Sequence, residues 1–399
     1  MLFSFSLIFL IGFLMAVLFQ KIKLPAIIGM LFTGIMMGKY VLNLLDPSVL
    51  NISSELRQIA LIIILIKAGL ALNIADLKKV GRPAVMMAFV PACFEIIGYV
   101  IFAPILLNIN LIESALMGAV LSAVSPAVVV PRMIKLIEEN YGTQKSIPQM
   151  LLAGASCDDV FVIVLFSTFL TMVQGGYINI INFVNIPVSI ILGILLGILT
   201  GLLLYYLFEI SYQRHHKIRN SMKLIIMLAV AFLLVAIESW LKNYHIAISG
   251  LLAVVAMACS MKKKSELSVT NRLSEKFGKL WIGAEILLFI LVGAEVDIRY
   301  TITASISAIG LIFIALLCRT IGVWICMLGT NLTKKEKFFC VIAYLPKATV
   351  QAAIGSVPLS AGLPCGKMIL SVAVLAILIT APLGAFGIDN SYQKLLHKK

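Results

Sequence analysis

Charge is what this sequence lacks most. Charged residues make up 13% of 399 positions, with only 18 Asp and Glu, while apolar residues make up 61%. A soluble domain carries about a quarter of its residues as charges, so that class is excluded. Histidine is scarce, at 4, and the seven cysteines (Cys93, Cys157, Cys259, Cys318, Cys326, Cys340 and Cys365) form no CxxC pair and lie near no His cluster. That excludes a disulfide framework and a zinc site, and the cysteines read as small buried hydrophobes. The opening "MLFSFSLIFLIGFLMAVLFQ" has neither a basic n-region nor a small-residue cleavage site. It therefore reads as a retained first span rather than a signal peptide. The net charge of +14 could suggest nucleic acid, but the apolar composition argues against such a partner. What remains is an all-α polytopic membrane protein.

Apolar runs predict thirteen transmembrane helices, at 2–20, 24–44, 57–74, 84–107, 113–134, 147–173, 185–208, 222–238, 246–261, 280–297, 303–328, 338–358 and 366–387. Loops after odd-numbered spans and the span ends beside them, with the C-terminal tail, hold 24 of the 32 Lys and Arg. Loops after even-numbered spans and the span ends beside them hold only Arg57, Lys242, Arg299 and Lys367. The positive-inside rule then places the N-terminus outside and the C-terminus in the cytoplasm of a cell (inner) membrane.

Two spans are interrupted by proline, which removes a backbone donor and clashes with the preceding turn. Span five carries "VSPAVVVP", with Pro126 and Pro131, and span twelve carries "YLPKATVQAAIG", with Pro346. Each is fifth in a block of six helices, the blocks being spans one to six and eight to thirteen, with span seven as linker. The blocks start on opposite sides and so form two inverted six-helix repeats. Paired broken helices in corresponding places point to a transporter's binding site. The expected organisation is scaffold helices at 1–82, core helices four to six at 83–175, linker helix seven at 176–210, scaffold helices eight to ten at 211–300, and core helices eleven to thirteen with a short tail at 301–399.

Ionisable residues inside spans are functional candidates by default. Asp158 and Asp159 sit side by side in "LLAGASCDDVFVIVLF", so their side chains point roughly 100° apart. One can face a cavity while the other braces a neighbour. A buried carboxylate that takes either a proton or a hard cation suits a proton-coupled carrier, with Na⁺ or Li⁺ seeking carboxylates, hydroxyls and freed carbonyls as ligands. Ser125 and Ser156 lie close in sequence to the break and the aspartates. Glu95 in span four and Arg319 in span eleven form the expected buried ion pair, since neither is tolerable alone. Either the pair braces the crossing, or Arg319 exchanges Glu95 for Asp158 during the cycle; a permanent Glu95–Arg319 pair would leave both aspartates clear of a fixed positive charge. Lys347, next to Pro346, would neutralise the carbonyl end of a half-helix, with Thr349 and Gln351 supporting the same break. Lys39 and Lys67 read as snorkelling residues. Glu285 could line a cavity mouth, and Glu295 and Asp297 read as solvated. No cofactor is expected beyond the transported ions, and an intramembrane aspartyl protease is disfavoured because adjacent aspartates on one helix diverge.

Taken together, "LPAIIGMLFTGIMMG" (24–38), "LRQIALIIILIKAGLAL" (56–72), "PACFE" (91–95), "AVSPAVVVPRM" (123–133), "ASCDDV" (155–160), "LVGAEVDI" (291–298) and "YLPKATVQAAIG" (344–355) resemble the cation:proton antiporter superfamily, and within it the NHA-type sodium/proton antiporters. The resemblance implies a six-helix core with two crossed broken helices moving in an elevator-like stroke against a homodimer of the other helices in membrane lipid. It implies Asp159 as the main cation and proton ligand, assisted by Asp158, and a core basic residue at Arg319 with an acidic partner at Glu95. Electrogenic bacterial relatives carry Lys at the Arg319 place, and Arg titrates too high to act as a proton carrier. Without the N-terminal extension of animal members, a compact bacterial form is expected. Within this architecture, a K⁺/H⁺ antiporter and a sodium-coupled organic anion (bile-acid-type) symporter stay open beside Na⁺/H⁺ exchange.

Overall fold

A computed structural model of the chain describes residues 1–71, 81–175, 180–215, 220–242 and 248–398. Among these residues the protein is helical, its only β feature being an isolated bridge between Tyr141 and Lys398. The helices, in order, are α1 (Leu2–Lys21), α2 (Ala26–Met37), α3 (Pro47–Asn51), α4 (Ser53–Ala71), α5 (Arg82–Met87), α6 (Val90–Leu107), α7 (Leu111–Leu121), α8 (Pro126–Glu138) and α9 (Ile147–Gly175). They continue as α10 (Ile180–His215), α11 (Asn220–Lys242), α12 (Gly250–Lys264), α13 (Leu267–Ala294), α14 (Ile298–Cys326), α15 (Lys334–Ala343), α16 (Thr349–Gly355), α17 (Val357–Ser360) and α18 (Gly366–Leu395). Helix occupies each of the thirteen predicted intervals, and nine stretches among the described residues are long and apolar enough to cross a membrane.

The differences lie at ends and breaks. Span two stops early, at Met37, because Gly38 turns extended and the chain folds back, with Leu42 and Leu44 donating to the Met36 and Met37 carbonyls. Span ten begins earlier, at Leu267, where a charged turn precedes the apolar run. Residues 72–74 of span three and 246–247 of span nine lie outside the described residues. Span five breaks at Ser122–Ser125, just before Pro126. Pro131 does not break it: that residue sits inside the continuous helix α8. Span twelve breaks between α15 and α16, around Pro346. Span four, expected to be continuous, is also interrupted. α5 ends at Met87 and α6 starts at Val90, because Pro91 has no N–H to offer the Met87 carbonyl four residues before it.

The chain falls into two compact units. One comprises Met1–Leu56, Asn73–Gln174 and Ile286–Lys399; the other comprises Arg57–Leu72 and Gly175–Glu285. Within the first, α2 meets α13 backbone to backbone: a Cβ on Gly34 would collide with the Ile290 carbonyl, and one on Gly293 with the Leu31 carbonyl. Only glycine permits that approach. α6 lies along α14, with Gly98 against Cys318 and Gly322 against Pro91, which brings Glu95 and Arg319 onto neighbouring helices. Lys39 pairs with Glu295 at 3.2 Å, and the Ser53 hydroxyl donates to the same carboxylate, tying the ends of spans two, three and ten. Lys39 and Glu295 are partners at the span ends, with Lys39 still reaching solvent. In the second unit, Cys259 Sγ donates to the Gly69 carbonyl, Gly250 N–H donates to Glu238, and the Lys67 ammonium stands 5.9 Å from the Trp281 ring centre.

Candidate functional site

The three helix breaks expose backbone groups that have lost their helical partners, and every buried one needs a replacement. The replacements define the site. Ser125 N–H donates to the Pro346 carbonyl at 2.7 Å, so the breaks of spans five and twelve cross in direct backbone contact. Gln351 Nε2 donates to the Ala123 carbonyl at 2.7 Å, with a longer contact to the Leu121 carbonyl. Lys347 N–H donates to Thr380 Oγ1 at 3.0 Å. Val124 N–H donates to Asp158 Oδ2 at 2.7 Å, so one of the paired aspartates caps the break in span five.

Five ionisable side chains meet at this crossing. Arg319 Nη1 donates to Glu95 Oε2 at 2.8 Å and also to the Ser122 carbonyl; Nη2 donates to Asp158 Oδ2 at 3.2 Å; Nε donates to the Tyr344 carbonyl at 2.7 Å. Lys347 Nζ donates to Glu95 at 2.8 Å. Glu95, Asp158, Arg319 and Lys347 are all fully buried, whereas Asp159 keeps 5% exposure.

Two expectations need correcting. Arg319 does not belong to Glu95 alone: its fork spans Glu95 and Asp158 together, so Asp158 is not clear of fixed positive charge. A planar guanidinium with donors on several edges can hold both carboxylates at once, so no exchange of partners is needed to bring them together. Lys347 does not face the carbonyl end of the half-helix. Its ammonium turns to Glu95, and the freed Tyr344 carbonyl is met by Arg319 instead.

Several buried oxygens at the crossing have no hydrogen-bond partner among the described residues: Asp158 Oδ1, Asp159 Oδ1, Ser125 Oγ, Thr349 Oγ1 and Gln351 Oε1. Pro126 and Pro346 flank the two breaks. Ser156 lies on α9, but its side chain falls outside the described residues. Sequence reasoning missed Thr380, the Lys347–Glu95 contact and Tyr344. Only Tyr344 left a trace, as the aromatic residue opening the second break.

Broken helices crossing at a buried charge cluster within a multi-pass helical protein are the hallmark of a membrane transporter's binding site. Comparison with known proteins refines that class. The family described as "Sodium/hydrogen exchanger, transmembrane" matches residues 6–389. Sodium/hydrogen exchanger 9B2 of Homo sapiens is 32% identical over 394 residues, spanning 94% of this chain and 70% of the human protein. Sodium/hydrogen exchanger 9B1 of Mus musculus is 34% identical over 418 residues, spanning 100% and 72%. In fold, the structure of the sodium proton antiporter MjNhaP1 from Methanocaldococcus jannaschii superposes with a TM-score of 0.81 at 22% identity, covering 98% of this chain and 97% of that one. The chain belongs to the sodium/hydrogen exchanger family.

Proposed function

We propose that the protein is a secondary antiporter that exchanges Na⁺ or Li⁺ for H⁺, with cation and proton competing for Asp159. One observation carries this reading. Each of the two adjacent aspartates keeps one oxygen without a hydrogen-bond partner among the described residues, but Asp158 is tethered through its other oxygen by Val124 N–H and Arg319, whereas Asp159 keeps the only exposure in the cluster. A tethered carboxylate holds the geometry; the free one can accept a proton or a hard cation. Ser125, Thr349 and Gln351 supply further unpartnered oxygens of the kind that such a cation takes. Asp158 acts as the helper, through its own second oxygen. The kinship to exchangers named for sodium and hydrogen supports the same ion pair.

The membrane is the cell (inner) membrane, with the N-terminus outside and the C-terminus in the cytoplasm, as the distribution of Lys and Arg supports. The working form is a homodimer, and the helices bearing the crossing move as a body in an elevator-type stroke. The test is exchange in proteoliposomes followed with a pH dye. Adding Na⁺ or Li⁺ moves protons in the wild type, and Asp159→Asn abolishes the response. Undiminished exchange in Asp159→Asn overturns the site, and a response to K⁺ alone overturns the ion.

A further inference from the structure

We infer that Tyr344 is a positioning residue that fixes the Arg319 guanidinium, and that it is itself anchored by the backbone carbonyl that Pro91 leaves unpaired. The inference rests on the reading that the paired aspartates bind the exchanged ions.

Tyr344 touches Arg319 twice. Its carbonyl accepts from Arg319 Nε at 2.7 Å, and its ring centre lies 5.2 Å from the guanidinium carbon. The first contact fixes one edge of the fork, and the second holds the cation against an aromatic face. With Nε and the ring fixed, the remaining nitrogens must point at Glu95 and Asp158. The aim of Arg319 at the aspartate pair is therefore set from behind, by Tyr344.

A tyrosine at a helix break needs an anchor of its own. Its hydroxyl donates to the Met87 carbonyl at 3.1 Å, with both residues fully buried. That carbonyl is available because the residue four positions on, Pro91, has no N–H. The break in span four thus supplies the acceptor that locks the break in span twelve. Gly154, one turn before Asp158 on α9, makes room for the arrangement: a Cβ there would collide with the Tyr344 hydroxyl and lie 2.8 Å from Met87 Cβ. Spans four, six, eleven and twelve meet at one phenol.

The test is a pair of substitutions and their combination, with sodium dependence read in proteoliposomes per folded transporter and thermal stability read in detergent. Tyr344→Phe keeps the ring and removes the anchor. It is expected to raise the sodium concentration for half-maximal exchange about tenfold, equivalent to about 1.4 kcal/mol, with little change in maximal rate, and to lower stability by orphaning the Met87 carbonyl. Pro91→Ala returns a backbone donor to that carbonyl. In the combined variant, stability recovers but the half-saturating sodium concentration stays raised, because the carbonyl is satisfied while the phenol anchor is still missing. A purely structural tyrosine would restore both together, and that result overturns the proposal. So does an unchanged sodium dependence in Tyr344→Phe while Asp159→Asn is inactive. Activity in Asp159→Asn would instead overturn the ion-site reading beneath it.

Discussion

On the proposed reading, the charge census of the crossing predicts exchange that is insensitive to membrane voltage. Glu95, Asp158 and Asp159 contribute three negative charges, and Arg319 and Lys347 two positive ones, all at 5% exposure or less. With every group ionised, the connected cluster carries a net single negative charge. One proton or one monovalent cation brings it to zero; a second would leave an uncompensated buried positive charge, which costs several kcal/mol. Each half-cycle of the proposed exchange would then carry one ion, and one-for-one exchange would move no net charge. The perturbation is an imposed potential of about 100 mV, which acts on each translocated elementary charge with about 2.3 kcal/mol. If two protons moved per cation, that energy would shift the equilibrium sodium ratio about fiftyfold. The assay sets the potential with a potassium gradient and an ionophore, then finds by pH dye the sodium gradient at which proton flux vanishes. The expected null point is the same with and without voltage. A shift of tens of fold refutes the census. Lys347→Gln provides the converse. It leaves the cluster at two net negative charges, able to take a second proton, so its null point is expected to move with voltage.

Further outcomes follow from the same geometry. Glu95→Ala or Arg319→Ala each leaves buried charge unpaired and should cost about 3–5 kcal/mol in thermal unfolding; because the two residues share a contact, the double variant should lose less than the sum, and strict additivity would mean no coupling. Gly34→Ala should destabilise by about 1–3 kcal/mol, since its Cβ meets the Ile290 backbone rather than a flexible side chain. Glu336, at the cap of α15, is pushed up by burial, but the Lys145 ammonium 2.8 Å away and the Thr333 backbone and hydroxyl outweigh that and hold it below the ordinary glutamate range. A carboxyl with a lowered folded value contributes stability above its unfolded pKa of about 4.3 and loses it as pH falls through the lower folded value. Glu336→Gln should therefore be less stable than wild type at neutral pH, with the gap closing as pH falls below about 4; a gap that persists in acid would contradict the ion pair.

Much of the fold was legible because membrane helices announce themselves through long apolar runs and through prolines. Helix ends were less so: span two stops at Gly38 because the chain folds back there, and no apolar run encodes that. The third break was missed for a more specific reason. Pro91 opens "PACFE" within a predicted span, as Pro131 lies within another, yet only Pro91 interrupts its helix. At the Pro91 break the freed Met87 carbonyl is met by Tyr344, some 250 residues away in sequence. Pairwise ion contacts share this limit. Glu95 and Arg319 could be matched by charge and by helix order. That Lys347 would join Glu95, and Arg319 would also reach Asp158, depends on side-chain directions at an irregular turn, where helical periodicity no longer specifies them.

The breaks also explain why two adjacent aspartates can differ so much. A continuous α7–α8 helix would use Val124 N–H internally. Broken before Pro126, it presents that donor to Asp158 and its Ser122 carbonyl to Arg319, while the Arg319 fork reaches the same Asp158 oxygen. One carboxylate is thereby drawn into the backbone repair of the crossing. Its neighbour, turned roughly 100° away on the same helix, cannot join that repair. None of those repair contacts runs through Asp159. On the proposed reading its carboxylate serves the exchanged ions, so its loss should silence exchange.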